Sequence, residues 1–291
     1  MTSPLVVAVV LNWNLPEDTI RCVRSLLTGD YAALRVLIVD NGSSDDSLAI
    51  FARELPAISV LAMGMNRFYA GGNNAGIAEA LRWDAEWVLV LNNDTVAAPD
   101  MLSRLVEAGI RCGAAAVAPL IYRLDAPDTV WDAGTVWPRW RPLPRRATPQ
   151  ASAYPVDLAT GCALLLRRDA LDRVGALDER YVMYYEDADL CLRLRQAGEC
   201  VVVEPQARLW HAAGQSAALA SVRSARQWAH YRLRFYRQHA PWPWRPVTLA
   251  AVTAHVLWRS LSAVCHGRRE SARAYGQGCI DGWRDAPRAR P

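Results

Sequence analysis

The 291 residues are 52% hydrophobic, enough to bury a substantial core, and the length suits one large α/β domain, or two closely joined halves, with appended helices. All 33 basic residues are arginine, and against 29 acids they leave a net charge of +4, too small to argue for a nucleic-acid partner. Seven cysteines form an odd set without Cys-x-x-Cys spacing, so neither a disulfide framework nor a zinc site is indicated, and a reducing cytoplasm fits best. Leu5 to Leu11 is an apolar run of strand length, far short of a signal peptide or a membrane span, and the mature chain is expected to begin near Met1.

That first strand leads into a helix over Glu17 to Leu27, with Ile20, Val23, Leu26 and Leu27 on one face. The alternation continues with a strand at Leu34 to Val39 and a helix from Asp45 to Leu55, then a strand at Ile58 to Ala62 and a helix from about Asn74 to Trp83. A strand at Trp87 to Leu91 and a helix from Pro99 to Ile110 complete four β-α units, which predict a parallel sheet with helices on both faces. After Ala115 to Tyr122 the rhythm breaks into a Trp-, Pro- and Arg-rich stretch from Leu124 to Pro155. Order resumes with a strand at Val156 to Leu166, a helix from about Glu186 to Ala197, a strand at Cys200 to Val203, and helical patterns at Val222 to Gln238 and Val247 to Cys265.

Open α/β sheets bind ligands at the carboxyl ends of their strands, so the polar residues there are the candidates for chemistry. The first strand ends in Asn12-Trp-Asn14, without the Gly-rich turn of a dinucleotide-binding unit. The second ends in Asp40, able to accept hydrogen bonds from a ribose or base, while Asp45 reads as a helix N-cap. Asn66 to Gly76 is dense in Gly and Asn, and is either turn chemistry or a loop whose amides face an anion. The fourth strand stops at Asn92-Asn93-Asp94, a turn or a hard-cation site bridging two phosphates. Glu186, Asp187 and Asp189 open a helix, where acids also simply suit the helix dipole. His211 follows the last strand, where a lone histidine is more often structural.

In this order and spacing the segments resemble the family 2 glycosyltransferases of the GT-A fold, in particular their non-processive, rhamnosyltransferase-like branch. The matching stretches are Val9 to Asn14, Val39 to Asp45, Asn66 to Gly76, Leu91 to Asp94, Thr160 to Ala163, Val174 to Glu179 and Tyr185 to Arg193, with His211 and a tail motif around Gly278 to Trp283. The resemblance implies an α/β, Rossmann-like GT-A fold: a mixed, mainly parallel sheet with helices on both faces, plus C-terminal helices. It implies a nucleotide-sugar-binding half at 1–122, an acceptor-binding and catalytic half at 123–215, and a helical extension at 216–291. It further implies that Asn12, Asn14 and Asp40 hold the nucleoside, that Asn66 and Arg67 lie near base or phosphates, and that Gly71, Asn74, Asn92 and Asn93 line the donor site. Gly161 and Cys162 would let the backbone approach the donor sugar.

By the same resemblance Asp94 ligates Mn²⁺ or Mg²⁺, His211 is a second candidate ligand, Asp187 is the general base, and Glu186 is an acceptor-binding partner or an alternative base. Only one of the three positions in the family's metal motif is acidic here, because Asn92 and Asn93 precede Asp94. The implied reaction is inverting transfer of one sugar, with rhamnose from dTDP-rhamnose as the leading donor, to a saccharide or lipid-linked saccharide acceptor in cell-envelope polysaccharide or glycolipid synthesis. Processive relatives carry a Gln-x-x-Arg-Trp motif and membrane helices, and this chain shows neither. The apolar run after Pro241-Trp-Pro-Trp-Arg-Pro246 spans about a dozen residues, too short for a bilayer. It packs on the domain or on a second copy of the chain, or it lies on the inner face of the cytoplasmic membrane. The competing functions are a sugar nucleotidyltransferase, which would need a Gly-rich basic loop where Asn12 to Pro16 stands, and an inactive binding module of an assembly complex.

Overall fold

The computed structural model describes residues 3–212 and 222–285. In chain order its elements are β1 (Val6–Asn12), α1 (Pro16–Leu27), β2 (Leu34–Asp40), α2 (Ser47–Glu54), β3 (Ser59–Ala62), α3 (Phe68–Arg82), β4 (Trp87–Asn92), β5 (Thr95–Ala97) and α4 (Met101–Cys112). There follow β6 (Ala116–Arg123), β7 (Val130–Asp132), β8 (Thr135–Val136), β9 (Arg145–Arg146), β10 (Tyr154–Pro155), β11 (Ala163–Arg167), α5 (Arg168–Val174), α6 (Glu186–Gln196) and β12 (Val201–His211). Three helices close the chain: α7 (Val222–His239), α8 (Arg245–Cys265) and α9 (Arg269–Arg284).

An apolar run without alternation requires cover on both faces, and β1 receives it. Val6, Ala8 and Val10 pack with α1, α2 and α4, whereas Val7 and Val9 pack with α3, α5 and α6. The main sheet runs β10-β12-β6-β11-β4-β1-β2-β3. β1 pairs in parallel with β2 and β4, and β2 with β3, as four β-α units predict. β11 enters antiparallel between β4 and β6, and β12 runs parallel to β6. The sheet is therefore mixed and mainly parallel, and the later part of the chain completes the same sheet as the earlier part.

Several expected elements differ, each for a local reason. The Gly- and Asn-rich segment is not a loop: α3 begins at Phe68 and takes it in. Gly72 and Gly76 let this helix pack closely on the sheet. A Cβ on Gly72 would lie 2.6 Å from Leu11 Cδ1, and one on Gly76 would lie 2.3 Å from Val9 Cγ1. The strand expected from Val156 forms only at Ala163, because Asp157, Thr160 and Gly161 interrupt it and the Gly161 amide binds a carboxylate outside the ladder. β12 runs on to His211, with a register shift against β6 between Glu204 and Arg208, where Pro205 offers no amide. Asp45 does not take the cap position of α2, which falls to Asp46. Its carboxylate accepts the Ser47 amide just inside the helix.

The tail motif is a helix. α9 crosses α7 so closely that a Cβ on Gly278 would lie 2.2 Å from the Arg226 carbonyl oxygen. The glycines of the motif let two helices approach. α8 is 21 residues long, more than the dozen apolar residues suggested, and by length and composition alone it could cross a bilayer. Thr248, Val252, Val256 and Ala263 are nonetheless buried, with Val252 and Val256 in the aromatic core of α7 and α9. The expected boundary at 215/216 lies outside the described residues.

Candidate functional site

The carboxyl ends of β1 and β2 form one hydrogen-bonded nest. Asn12 is fully buried; its amide donates to Asp40 Oδ1 (2.9 Å) and Ser43 Oγ (3.0 Å), and its oxygen accepts from Thr19 (2.8 Å). Asp40, 2% exposed, also accepts from the Ser43 hydroxyl and amide. Asn14, at φ 56°, takes the Ser44 amide on its side-chain oxygen, and its own amide donates to Ser43. Asn12, Asn14 and Asp40 thus come together as the sequence leads one to expect, but their polar atoms mainly hold one another. Ser43 and Thr19, which complete the nest, were not among the site residues expected from sequence; Ser43 reads there as a candidate helix cap.

Asn41, also not singled out, joins this nest to the start of α3. Its amide donates to Asn66 Oδ1 (3.2 Å) and the Phe68 carbonyl (3.0 Å), and its oxygen accepts the Arg67 amide (2.9 Å). The Arg67 guanidinium reaches Glu179 at 3.3 Å, across the start of α3. Gly71 lies beside this pair, its Cβ direction 3.0 Å from Arg67 Cβ. Asn74 is engaged elsewhere: its amide donates to the Leu177 carbonyl (2.9 Å) and Glu179 (3.0 Å), and its oxygen accepts the Leu177 amide (3.0 Å). It clamps the loop before α6 onto α3.

Asp94 and His211 are distant in sequence, and the antiparallel pairing of β5 with β12 brings them together. His211 Nε2 lies 3.2 Å from Asp94 Oδ1, and both side chains are about nine-tenths buried. Asn92 contributes its main chain, accepting from Thr95 at 2.7 Å, and Asn93 donates its side-chain amide to Thr19 at 3.0 Å. The edge of Trp131 packs on the His211 ring, with centroids 4.6 Å apart. His211 Nδ1 is buried without a hydrogen-bond partner among the described residues. One carboxylate and one imidazole suit Mn²⁺ or Mg²⁺, and two protein ligands leave coordination positions for phosphate oxygens. Among the described residues no group of three acids, histidines or cysteines could cage an ion alone.

Asp187 opens α6 with its oxygens fixed: Oδ2 accepts the Gly161 amide (2.7 Å) and Oδ1 the Ala188 amide (2.7 Å). Gly161 cannot carry a side chain here, since its Cβ would lie 2.9 Å from Tyr69 Oη and 3.2 Å from Asp187 Cβ. The Tyr69 hydroxyl donates to the Gly161 carbonyl (2.7 Å) and so fixes the next peptide along the chain. Burial raises the Asp187 carboxyl above its ordinary range, although three backbone amides and Thr160 pull it down. Glu186 is pushed well above the usual range by burial and then by the Asp187 charge, and its Oε2 has no partner among the described residues. A base tuned upward by burial can take a proton near neutral pH. Cys162 is buried beneath this cluster, and burial followed by the charge of Asp94 pushes its thiol up.

The C-terminal helices brace this acid. Tyr184 and Tyr185 precede it at φ 74° and 72°, a region that non-glycine residues enter only when their surroundings hold them there. Arg232 of α7 donates to the Tyr185 hydroxyl at 2.8 Å, and the Tyr185 ring packs on Phe235. Asp189, fully buried on α6, binds Arg193 (2.7 Å) and His239 of α7 (2.8 Å). Burial alone would raise its carboxyl, but the His239 hydrogen bond and the Arg193 charge prevail and hold it below the usual range.

Residues 7–175, more than half of the chain, match the model of the family described as glycosyl transferase family 2. The chain is 32% identical over 216 residues to the N-acetylglucosaminyl-diphospho-decaprenol L-rhamnosyltransferase of Mycobacterium tuberculosis, a match covering 66% of this chain and 70% of that one. It is 26% identical over 204 residues to a low-salt glycan biosynthesis hexosyltransferase of Haloferax volcanii, covering 67% of this chain and 64% of that one. In fold it is similar to a mannosyltransferase from Pyrobaculum calidifontis solved with GDP-Man and Mn²⁺, with a TM-score of 0.64, 15% identity, and coverage of 97% of this chain and 88% of that one.

Proposed function

This chain belongs to glycosyl transferase family 2 and is a glycosyltransferase, and we propose that it moves a single sugar, with inversion, from a nucleoside-diphosphate donor to an acceptor hydroxyl. The observation that carries this reading is the Asp187 carboxylate, fixed on the Gly161 amide at the same end of the sheet as the Asp94–His211 pair. In one displacement the acceptor oxygen bonds to the anomeric carbon, the bond to the diphosphate oxygen breaks, and the acceptor proton passes to Asp187. Asp94 and His211 would hold a divalent ion, which when bound neutralises charge on the departing diphosphate. Asn12, Asn14 and Asp40 shape the nucleoside end, Asn66, Arg67, Gly71 and Asn74 its flank, and Asn92, Asn93, Gly161 and Cys162 the floor beneath the sugar. Residues 1–122 serve the donor, 123–215 the acceptor and base, and 216–291 brace α6.

The rhamnosyltransferase similarity supports dTDP-rhamnose as donor and a lipid-linked saccharide of the envelope as acceptor, reached from the cytoplasmic side. A thermal-shift panel of nucleoside diphosphates and their sugars, with and without Mn²⁺, tests the reading. A ligand at a hundredfold excess over its Kd adds ~2.7 kcal/mol, and at ~2–4 °C per kcal/mol for a chain of this size a rise of several degrees is expected with Mn²⁺. No rise with any nucleoside diphosphate would sink the proposal.

A membrane surface is the second proposed partner. No acid stands between Glu204 and Glu270, while the arginines of that stretch include Arg245, Arg259, Arg268 and Arg269. On α8 and its lead-in, Trp242, Leu257, Trp258, Leu261 and Val264 are exposed. Tryptophans and an apolar ridge among arginines suit the interface of an anionic bilayer. The full chain is expected to float with anionic liposomes at low salt, less at high salt, and less again after Trp258→Glu with Leu261→Glu. No flotation of the unaltered chain at low salt removes this partner and leaves the ridge to a second copy of the chain.

A further inference from the structure

In the stretch from Leu124 to Pro155, where Trp131 to Trp140 reads from sequence as part of an acceptor platform or as core packing, β7 runs through the candidate site. It pairs antiparallel with β6, Ile121 opposite Asp132, with a register shift next to that pair. Trp131 packs on His211, and Asp132, next to it in the chain, lies within electrostatic reach of Asp187 and Cys162. β7 thus sets one residue against the candidate metal pair and the next within reach of the candidate base.

Asp132 is held in place by a turn with no obvious tolerance for change. Its Oδ2 accepts the Gly134 amide at 3.0 Å. Gly134 has φ +78°, and a Cβ there would lie 2.7 Å from Val156 Cγ1, so both conformation and space require glycine. Tyr154 supports the turn from behind, donating to the Ala133 carbonyl at 3.0 Å. Among the described residues Asp132 has no other hydrogen bond and no ion pair, although Arg146 is close enough to lower its pKa. Burial and then the Asp187 charge nonetheless leave its carboxyl above the ordinary range. A partly buried carboxylate within electrostatic reach of another, with one backbone amide as its only bonded donor among the described residues, is a costly arrangement. Hydroxyl donors from a ligand would offset that cost.

We propose that Asp132 is a sugar-binding residue of this centre, its second oxygen accepting a hydrogen bond from a hydroxyl of one of the two saccharides that meet at Asp187. The inference rests on the proposed transfer reaction and adds a specificity determinant to it. Sites that hydrogen-bond a substrate hydroxyl reject analogues lacking it far more strongly than apolar pockets reject a missing methylene. Asp132 therefore discriminates among sugars that share a nucleotide or a lipid carrier.

The test compares the full-length protein with its Asp132→Asn and Asp132→Ala variants. Asparagine can still accept the Gly134 amide, so a role confined to the turn is rescued by it. Three quantities are measured: affinity for the bare nucleoside diphosphate with Mn²⁺, affinity for the intact nucleotide sugar, and the acceptor KM. Both variants are expected to bind the bare nucleoside diphosphate within about twofold of the unaltered protein. Both are expected to weaken one saccharide constant by about tenfold or more, the loss expected for one charge-assisted hydrogen bond. Loss of the increment that the sugar adds to nucleotide affinity identifies the donor sugar, and a raised acceptor KM identifies the acceptor. If Asp132→Asn matches the unaltered protein in every saccharide constant while Asp132→Ala only melts earlier, Asp132 is a turn residue and the inference is overturned. If the unaltered protein binds no nucleoside diphosphate, the parent reading fails too, and the two failures are told apart.

Discussion

Asp187→Asn is expected to bind the nucleotide sugar within about twofold of the unaltered protein while transfer falls by about 10²- to 10⁴-fold, the usual worth of a positioned general base. The substitution suits the question because asparagine keeps one oxygen for the Gly161 amide, and Tyr69 independently holds the next peptide. What is lost is the ability to take a proton, together with the acceptor for the Ala188 amide. A pH profile supplies a second readout. Asp187 must be ionised to act, and burial raises its carboxyl above the ordinary range. The acid limb of kcat/KM in the unaltered protein should therefore lie at higher pH than a solvent-exposed aspartate would give, with activity lost as pH falls through it. Near-wild-type turnover in Asp187→Asn would remove Asp187 as the base and turn attention to Glu186, whose carboxyl is raised further still.

Why Asp187 was legible from sequence while Asp132 was not follows from how each is positioned. Asp187 opens a helix marked by Leu190 and Leu194 at helical spacing, within a run of residues that matches a family motif. Asp132 sits on a three-residue strand inside a stretch without periodicity, and only its pairing with β6 brings it to the site. The buried parallel strands were legible for the reason Asp187 was: apolar runs of strand length separated by helical faces leave few alternatives.

Glycine density misled the reading of Gly71 to Gly76, which reads as turn chemistry or an anion-facing loop but lies in α3. The glycines from Gly276 to Gly282, read only as part of a tail motif, likewise lie in a helix. In each the absent side chain is what lets a helix approach its neighbour, β1 in one case and α7 in the other. Composition carries no record of which neighbour is near. The long β12 was hidden similarly: Pro205 argues against a continuing strand, and the register shift that accommodates it is a property of the pair with β6.

Asp94→Ala is expected to lower transfer by about 10³-fold, since metal stabilisation of a departing oxyanion is worth several kcal/mol. It should also make binding of the nucleoside diphosphate insensitive to Mn²⁺. The effect should be large because Asp94 is the only acid in its motif: Asn92 and Asn93 add no charge, and the Asn93 amide is turned to Thr19. His211→Ala should be milder, because an imidazole adds a donor atom but no negative charge. The fold should tolerate both changes. The Asp94 carbonyl, which accepts the Ala212 amide at 2.9 Å, belongs to the main chain and survives the substitution. Asp94→Asn separates charge from shape: it keeps an oxygen beside His211, so if the carboxylate charge is what binds the ion, this variant should also lose its response to Mn²⁺. Full activity of Asp94→Ala in the presence of a chelator would show that Arg67 and backbone amides neutralise the diphosphate without an ion, and transfer would then proceed without a metal.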